Sequence, residues 1–126
     1  MKIFQWMILG ALGLTLSVVA QDPAPSSMGG LLTVTEAYDK AQLDMQDAYS
    51  KLMTALKPVG KERLQKAQLS WSQYRDAQAA FLCLNVAGGP YEKMEYYAQL
   101  RKETDKRTKE LLQTYDWVRK LAMQEQ

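Results

Sequence analysis

Two arginines and the acids around them are the residues of this 126-residue chain whose types and positions could do chemistry. Arg75 lies about 40° from Trp71 on a helix of 3.6 residues per turn, inside a stripe of mainly aromatic and aliphatic residues. A guanidinium there must find a carboxylate or carbonyl groups, because an unpaired buried charge is costly. Arg75 is therefore predicted either to fix the helices in an inter-helix network or to fork onto a carboxylate of a bound partner.

The acids that could pair with the two arginines differ. Arg107 has Glu103 four residues before it and Glu110 three residues after it, within reach on one helix. Arg75 has no acid four residues away in either direction, and the next residue, Asp76, points away from the stripe. The partner of Arg75 is therefore predicted to come from another helix or from a ligand, and the candidates are Asp39, Glu103 and Glu110.

The composition excludes the commonest catalytic arrangements. The chain has no histidine, which removes His-dependent triads, the usual zinc sites and the commonest general base near neutral pH. Cys83 has no basic neighbour in sequence that would activate it, and Gly88-Gly89 lacks the Lys and Ser or Thr of a phosphate-binding loop. The acids stand among lysines and glutamines, as on solvated helix faces: Asp39, Asp44, Asp47, Glu103 and Glu110. We therefore predict no enzyme activity, no cofactor and no metal site.

Three helical patterns must position these residues, and no segment alternates as a strand does. Thr33-x-x-Glu36 matches a capping box at the start of the first helix, which Pro58 and Gly60 are predicted to end. Apolar residues recur along this helix at three- and four-residue intervals: Tyr38, Ala41, Met45, Tyr49, Leu52, Met53 and Leu56.

The second helix is predicted at about 61–84 and the third at about 91–123, with Pro90 in the first turn of the third. Short connections between long helices favour antiparallel neighbours. The predicted fold class is therefore all-α: a three-helix antiparallel (up-down-up) bundle, or an extended helical hairpin with a long third helix that overhangs the others.

Aromatic rings are expected to supply much of the core. The predicted inward stripe of the second helix contains Leu64, Ala67, Trp71, Tyr74, Gln78, Phe81 and Leu82. The rings expected to pack internally are Trp71, Tyr74, Phe81, Tyr97 and Tyr115, whereas Trp117 is expected to be partly exposed. Cys83 is the only cysteine, so it is predicted to be a small buried residue, with an intermolecular disulfide as the alternative.

The N-terminus is typical of a secretory signal. Lys2 supplies a positive charge, residues 8–19 are almost wholly apolar, and Val18-Val19-Ala20 offers a cleavage site before Gln21. The predicted organisation is a signal peptide at 1–20, a Pro-, Gly- and Ser-containing flexible tether at 21–32 and a helical domain at 33–126. The protein is thus expected in the periplasm or secreted, without stable membrane insertion after cleavage; the alternative is an uncleaved N-terminal anchor.

Charge gives no strong preference for a partner. After residue 20 the chain has 15 basic and 14 acidic residues, because Lys2 is the one charged residue of the signal. No basic run could follow a phosphate backbone, so nucleic acid is not an expected partner.

A motif in the second helix and another in the third carry a resemblance to a known family. They are Leu64-x-x-Ala67-Gln68-x-x-Trp71-x-x-Tyr74-Arg75-Asp76-Ala77 and Thr104-x-x-Arg107-Thr108-x-x-Leu111. Over residues 43–115 the chain resembles the LprI-like lysozyme-inhibitor domain. The resemblance implies a small, helical, exported bacterial domain whose motif and core residues are Trp71, Tyr74, Arg75, Asp76, Thr104, Arg107 and Leu111. Members often have two cysteines at positions that are Ala79 and Gln99 here, so this chain lacks that pair.

The leading hypothesis, as the resemblance implies, is an exported non-catalytic binding protein that inhibits lysozyme or another cell-wall hydrolase. The alternatives are a periplasmic structural or adaptor module and an immunity-type protein that docks another envelope protein. The predicted partner-binding loop lies between the second and third helices, at Ala87, Gly88, Gly89, Pro90 and Tyr91. A basic lysozyme would gain from a local acidic patch such as Asp39, Asp44 and Asp47.

Overall fold

The computed structural model describes residues 27–89 and 91–125, and most of these residues are α-helical. These residues form three long helices and one short 3-10 helix: α1 at Ser27–Ala55, α2 at Pro58–Leu82, the 3-10 helix at Cys83–Val86, and α3 at Glu92–Gln124. Because no strand occurs within the described ranges, the predicted all-α fold class is confirmed.

Helices α1 and α3 run in the same direction along their shared interface. Near the start of both helices, Gly30 lies beside the side chain of Met94. Further along both, Leu52 and Leu111 belong to one buried cluster. Residue numbers therefore rise together along the two helices, as expected for the first and third members of an up-down-up bundle.

Helix α2 runs in the opposite direction. Gln68 contacts Met45 of α1, whereas Arg75, later on α2, contacts Gln42, which is earlier on α1. The predicted three-helix antiparallel bundle is therefore confirmed.

Helix α1 begins at Ser27, six residues before the predicted start at Thr33. The predicted capping box is wrong, because Thr33 lies inside the helix and its Oγ1 donates to the carbonyl oxygen of Gly29 at 3.0 Å. The last part of the predicted tether is thus helical. Contact with α3 explains this: a Cβ on Gly30 would come within 2.6 Å of the Met94 Cε atom. Packing has overridden the low helix propensity of two adjacent glycines.

The predicted signal peptide at 1–20, its anchor alternative and residues 21–26 lie outside the described residues. The division into signal, tether and domain therefore stays a prediction. Among the helices of residues 27–89 and 91–125, none combines the length and apolarity that a membrane crossing requires.

The connection between α1 and α2 is shorter than predicted. Pro58 is the first residue of α2, and Gly60 lies inside that helix rather than in a break. Lys57 is extended, with φ −70° and ψ 160°, the conformation preferred before proline. At the other end, Leu82 closes α2 and the chain tightens into the 3-10 helix. Both ends of α3 fall within one residue of their predicted positions.

The apolar core lies mainly between α1 and α3. Small residues on α1 allow close approach, and leucines from both helices fill the space; the buried members are Ala41, Ala48, Leu52, Leu100 and Leu111. Helix α2 contributes Ala79 and Cys83 to the buried apolar residues, and Leu64 packs against one end of the core. Cys83 is a free thiol and 4% exposed, which confirms its predicted burial.

The expected aromatic core is only partly correct. Tyr74 and Phe81 are 57% and 63% exposed, so their predicted burial is wrong. The other three predicted rings are partly buried: Trp71, Tyr97 and Tyr115. Successive residues of a helix differ by about 100° in direction, and α2 is rotated so that Arg75, not Tyr74, faces inward. Trp117 is 61% exposed, as expected.

Candidate functional site

Arg75 lies where the three helices meet and is only 7% exposed. Its Nε and Nη2 atoms each lie 2.8 Å from Oδ1 of Asp76. Its Nη1 atom donates to Oε1 of Gln42 on α1 at 3.0 Å and to Oγ1 of Thr104 on α3 at 3.4 Å. All three guanidinium nitrogens therefore have protein partners, and the group ties α2 to both other helices.

The predicted acid partners of Arg75 are wrong. None of the three candidates (Asp39, Glu103 and Glu110) contacts it, and the pairing carboxylate is that of the adjacent Asp76. The Cβ atoms of neighbouring helical residues point in different directions, but the long arginine side chain can curve back to reach a carboxylate near its own backbone. The Asp76 side chain is 52% exposed, so only the guanidinium loses most of its hydration. This geometry favours the inter-helix network over the recognition role.

The Trp71 ring is close to two cations. The guanidinium carbons of Arg75 and Arg107 lie 5.0 Å and 5.8 Å from its centroid. The Arg75 carbon also lies 5.7 Å from the ring of Tyr38 on α1. Attraction between a cation and an aromatic face strengthens as water is removed, so these contacts stabilise a guanidinium that is mostly buried.

Arg107 joins the same cluster from α3. Its Nε atom donates to Oε1 of Gln68 at 3.1 Å, and its Nη1 atom lies 3.2 Å from Oε2 of Glu110. The predicted pairing with Glu110 is confirmed. On the same helix, Thr104 donates to the Leu100 carbonyl at 2.7 Å while its Oγ1 accepts from Arg75. The two sequence motifs therefore meet in one polar cluster.

Two of the predicted motif residues lie outside this cluster. Tyr74 points to solvent on the opposite side of α2, and Leu111 is buried in the apolar seam between α1 and α3. The cluster consists of an arginine, its paired carboxylate and an aromatic ring on α2, a hydroxyl and a second arginine on α3, and two amides. Of these amides, Gln68 belongs to the first sequence motif, whereas the sequence analysis did not single out Gln42. The cluster can hold helices together, but it presents no free nucleophile or base.

Burial changes the acidity of two groups near the bundle interior. It raises the pKa of the Tyr38 hydroxyl, although the positive charge of Arg75 opposes this. It also raises the pKa of the Cys83 thiol, and the negative charges of Glu95 and Glu92 act in the same direction. Cys83 is therefore a poor nucleophile near neutral pH.

The predicted partner-binding loop is exposed and held by local hydrogen bonds. Gly88 has a φ of 76°, which favours glycine, and its N–H donates to Oε2 of Glu92 at 2.7 Å. The N–H of Gly89 donates to the Val86 carbonyl at 3.1 Å. Ala87 is exposed and Tyr91 is 52% exposed. Pro90 lies outside the described residues.

A groove of about 470 Å³ lies between α1 and α2, and sequence reasoning missed it. Its walls combine amides with aromatic and aliphatic groups: Gln42, Met45, Gln46, Tyr49, Gln65, Gln68, Leu69, Trp71, Ser72 and Arg75. The glutamines recur at helical spacing on both helices, which was the available signal. Amides carry no hydrophobic periodicity, so these glutamines were not recognised as the lining of a groove.

The acidic residues do not form an uncompensated patch or a metal site. On α1, Asp44 pairs with Lys40 and Asp47 pairs with Lys51, so the proposed acidic surface is largely neutralised. Among residues 27–89 and 91–125, no group of three or more His, Cys, Asp or Glu side chains could hold a metal ion.

Comparison with known families gives a match over most of the chain. The model of one family, described as lysozyme inhibitor LprI, matches residues 21–111, the greater part of the chain. The protein belongs to the lysozyme inhibitor LprI family. The predicted resemblance is thus confirmed. No curated protein and no solved structure matches the chain.

The LprI match covers α1, α2 and the first 20 of the 33 residues of α3. It includes the polar cluster and the predicted partner-binding loop, and it stops at Leu111. The last turns of α3, with exposed Trp117, lie beyond it. Features shared across the LprI family are therefore to be sought in the cluster and loop rather than in the part of α3 that follows Leu111.

Proposed function

We propose that this protein is an exported, non-catalytic binding protein that inhibits a lysozyme or another peptidoglycan-cleaving enzyme. The family match over residues 21–111 carries this proposal. An inhibitor needs no reacting groups of its own, because it acts by blocking access to an enzyme's cleft. The cluster around Arg75 suits that role: it stabilises the scaffold that presents a binding surface.

The predicted partner-binding loop has the composition of a contact surface. Tyr91 is half exposed, and Leu84, in the 3-10 helix three residues before the loop, is 65% exposed. On the N-terminal side of Tyr91, the sequence back to Lys66 has only two charged residues, and these are paired with each other. Exposed aromatic residues are enriched at the energetically dominant centres of protein interfaces.

The loop is also restrained before any partner binds. The hydrogen bonds from Gly88 to Glu92 and from Gly89 to Val86 fix its turn. A loop held in one conformation loses less entropy on binding, which raises affinity. We therefore assign Tyr91 as the main contact of the loop with the cleft of the target enzyme.

Lysis of a bacterial cell-wall suspension by a set of lysozymes tests this function. The chain from Gln21 is added at increasing concentration, and inhibition is expected in the micromolar range or below. Tyr91→Ala should weaken inhibition by more than about tenfold, as for an aromatic anchor. Trp117→Ala is the matched control, because Trp117 is similarly exposed but lies beyond the family match.

Three results would count against the proposal in different ways. Absence of inhibition of every enzyme at micromolar concentration would refute inhibition itself. Lysis of cell walls by the protein alone would refute its non-catalytic character. Equal inhibition by the Tyr91 variant and the wild-type protein would remove the loop from the contact and leave the function standing.

A further inference from the structure

The side of α2 that faces solvent has a regular row of apolar and small residues, which we call the outer face of α2. Its members are spaced alternately by three and four residues: Ala67, Ser70, Tyr74, Ala77, Phe81 and Leu84. All six are exposed, and the three large ones, Tyr74, Phe81 and Leu84, are 57%, 63% and 65% exposed. None of the three is buried against another helix of the same chain.

This spacing is that of a seam between two helices. Residues separated alternately by three and four positions keep to one side of a helix and fit between the side chains of a facing helix. Leu84 lies in the 3-10 helix, one full turn after Phe81, and so remains on the same side. The row extends over about 25 Å at 1.5 Å per residue. A second helix is therefore the natural occupant of this surface.

Charge does not direct this surface toward an acidic or a basic partner. The only charges between Lys66 and Glu92 are those of Arg75 and Asp76, and they neutralise each other at 2.8 Å. In a chain that is 24% charged, such a stretch stands apart from the rest of the surface. A surface without net charge meets no repulsion from its own copy.

The order of large and small residues makes the row complementary to itself. The row alternates between a positions (67, 74 and 81) and d positions (70, 77 and 84) of a heptad repeat. In an antiparallel pair of helices, each a position faces a d position of the partner. Each large residue then meets a small one across the seam: Leu84 meets Ala67, Phe81 meets Ser70, and Tyr74 meets Ala77. Alternation of large and small groups is what lets two surfaces interdigitate without voids or clashes.

We propose that two copies of this chain pair through the outer faces of their α2 helices, antiparallel, about a two-fold axis that passes between positions 75 and 76. The flanking positions agree with this arrangement. Gln73 and Gln78 border the row at equal distances from this axis, so Gln73 of one chain lies at the level of Gln78 of the other. Both are uncharged amides, and an amide can both donate to and accept from another amide.

The mass of the protein in solution tests the pairing. The whole chain is expressed, and the protein is purified after any processing by the cell. Its mass is then measured by sedimentation or light scattering over a series of dilutions. We expect a reversible dimer. Phe81→Glu should weaken dimerisation roughly 100-fold, because it places an unpaired charge in an apolar seam. Leu43→Glu is the matched control: Leu43 is 68% exposed on α1, outside the row, and its change should leave the dimer intact.

Disulfide cross-linking then tests the antiparallel register. In a Cys83→Ala background, a chain with both Ala67→Cys and Leu84→Cys should oxidise to a covalent dimer. The two positions are about 25 Å apart along one helix, so a bond within a single chain is too long to form. Leu84→Cys alone should not cross-link, because its copy lies at the far end of the seam.

Other outcomes overturn the proposal. A monomer at about 100 μM, well above the dissociation constants of most functional dimers, would refute pairing. Cross-linking of Leu84→Cys alone would indicate parallel helices. A monomer whose Phe81→Glu variant loses enzyme inhibition would reassign the outer face to the target enzyme. Circular dichroism of each variant separates these results from loss of folding.

Discussion

The two faces of α2 differ from the usual pattern, because a charged residue is buried on the inner face and aromatic rings are exposed on the outer face. The inner face carries Arg75, 7% exposed, with the polar Gln68 partly buried beside it. The outer face carries Tyr74 and Phe81, both more than half exposed. The difference shows that hydrophobicity alone did not decide which side of this helix faces inward. The surface that α2 meets decided it.

That surface is polar where α2 crosses it. Helices α1 and α3 bury their apolar residues mainly against each other and leave an amide and a hydroxyl, Gln42 and Thr104, facing α2. Buried polar groups must be hydrogen-bonded, so a guanidinium with several donors satisfies them better than a phenol or a phenyl ring would. The rings of Tyr74 and Phe81 are consequently left on the outside.

The largest expected loss of stability is for Trp71, the aromatic ring on the inner face of α2. Trp71→Ala should destabilise the chain by about 3 kcal/mol, the lower end for a tryptophan, because Trp71 is partly buried and contacts two guanidinium groups. Urea unfolding followed by circular dichroism measures this change. Trp117→Ala on the exposed end of α3 should change stability by less than about 0.5 kcal/mol. A loss below about 1 kcal/mol at Trp71 would show that the indole does not support the cluster.

A slightly smaller loss is expected at the buried cation. Arg75→Met keeps the length of the side chain but removes hydrogen bonds to three residues, and should cost about 2 kcal/mol. Arg63→Met is the control, since Arg63 is exposed on the same helix. Equal stability of the two variants in urea would mean that Arg75 is held in place by the fold without contributing to it.

The pH dependence of the free energy of unfolding tests the burial of Cys83, which directly follows the C-terminal end of α2. Burial raises the pKa of Cys83, so the folded chain holds the thiol proton more tightly than the unfolded chain does. Stability should be unaffected by this group below the pKa of an unfolded cysteine, near pH 8.5, and should fall as the pH rises above it. Cys83→Ala should flatten that decline, and an unchanged profile would contradict the assignment.

Thiol labelling extends this test to both faces. Near pH 8, Cys83 should react slowly with iodoacetamide in the folded chain and rapidly in urea. A cysteine introduced on the outer face as Ser70→Cys, in a Cys83→Ala background, should react rapidly without urea when the chain is dilute. Similar rates at the two positions in the folded chain would contradict the difference between the faces.

The smallest effect is expected on the outer face itself. Tyr74→Ser and Phe81→Ser should each change the stability of the dilute, monomeric chain by less than about 0.5 kcal/mol. Thermal unfolding at low protein concentration measures this. A loss near the value for Trp71→Ala would show that these rings pack against the chain after all.

Sequence reasoning succeeded where periodicity and helix-end residues agreed. The start of α3 was predicted from Pro90, and the apolar face of α1 was predicted because apolar residues recur there at three- and four-residue intervals. The start of α1 was predicted wrongly, because the contact between Gly30 and Met94 involves residues far apart in sequence. The burial of Arg75 was predicted correctly from its position beside Trp71.

The rotation of α2 and the partners of Arg75 could not be predicted by considering each helix separately. The rotation of α2 depends on the polar groups that α1 and α3 present together, which no single segment reveals. The pairing of Arg75 with Asp76 depends on the path of a flexible side chain rather than on its Cβ direction. Gln42 and Gln68, which accept hydrogen bonds from the two arginines, carry no hydrophobic signal.

Helix α2 is attached to its neighbours through fewer buried apolar residues than join α1 to α3, and hydrogen bonds from Arg75 and Gln68 supply part of the attachment. This difference has a consequence for how the molecule opens. Hydrogen bonds lose little on exchange with water, whereas separating leucines and alanines exposes surface that water solvates poorly. Helix α2 should therefore detach in local opening fluctuations during which α1 and α3 remain packed together. Native-state deuterium uptake should reach the α2 amides first, in molecules that have not unfolded globally.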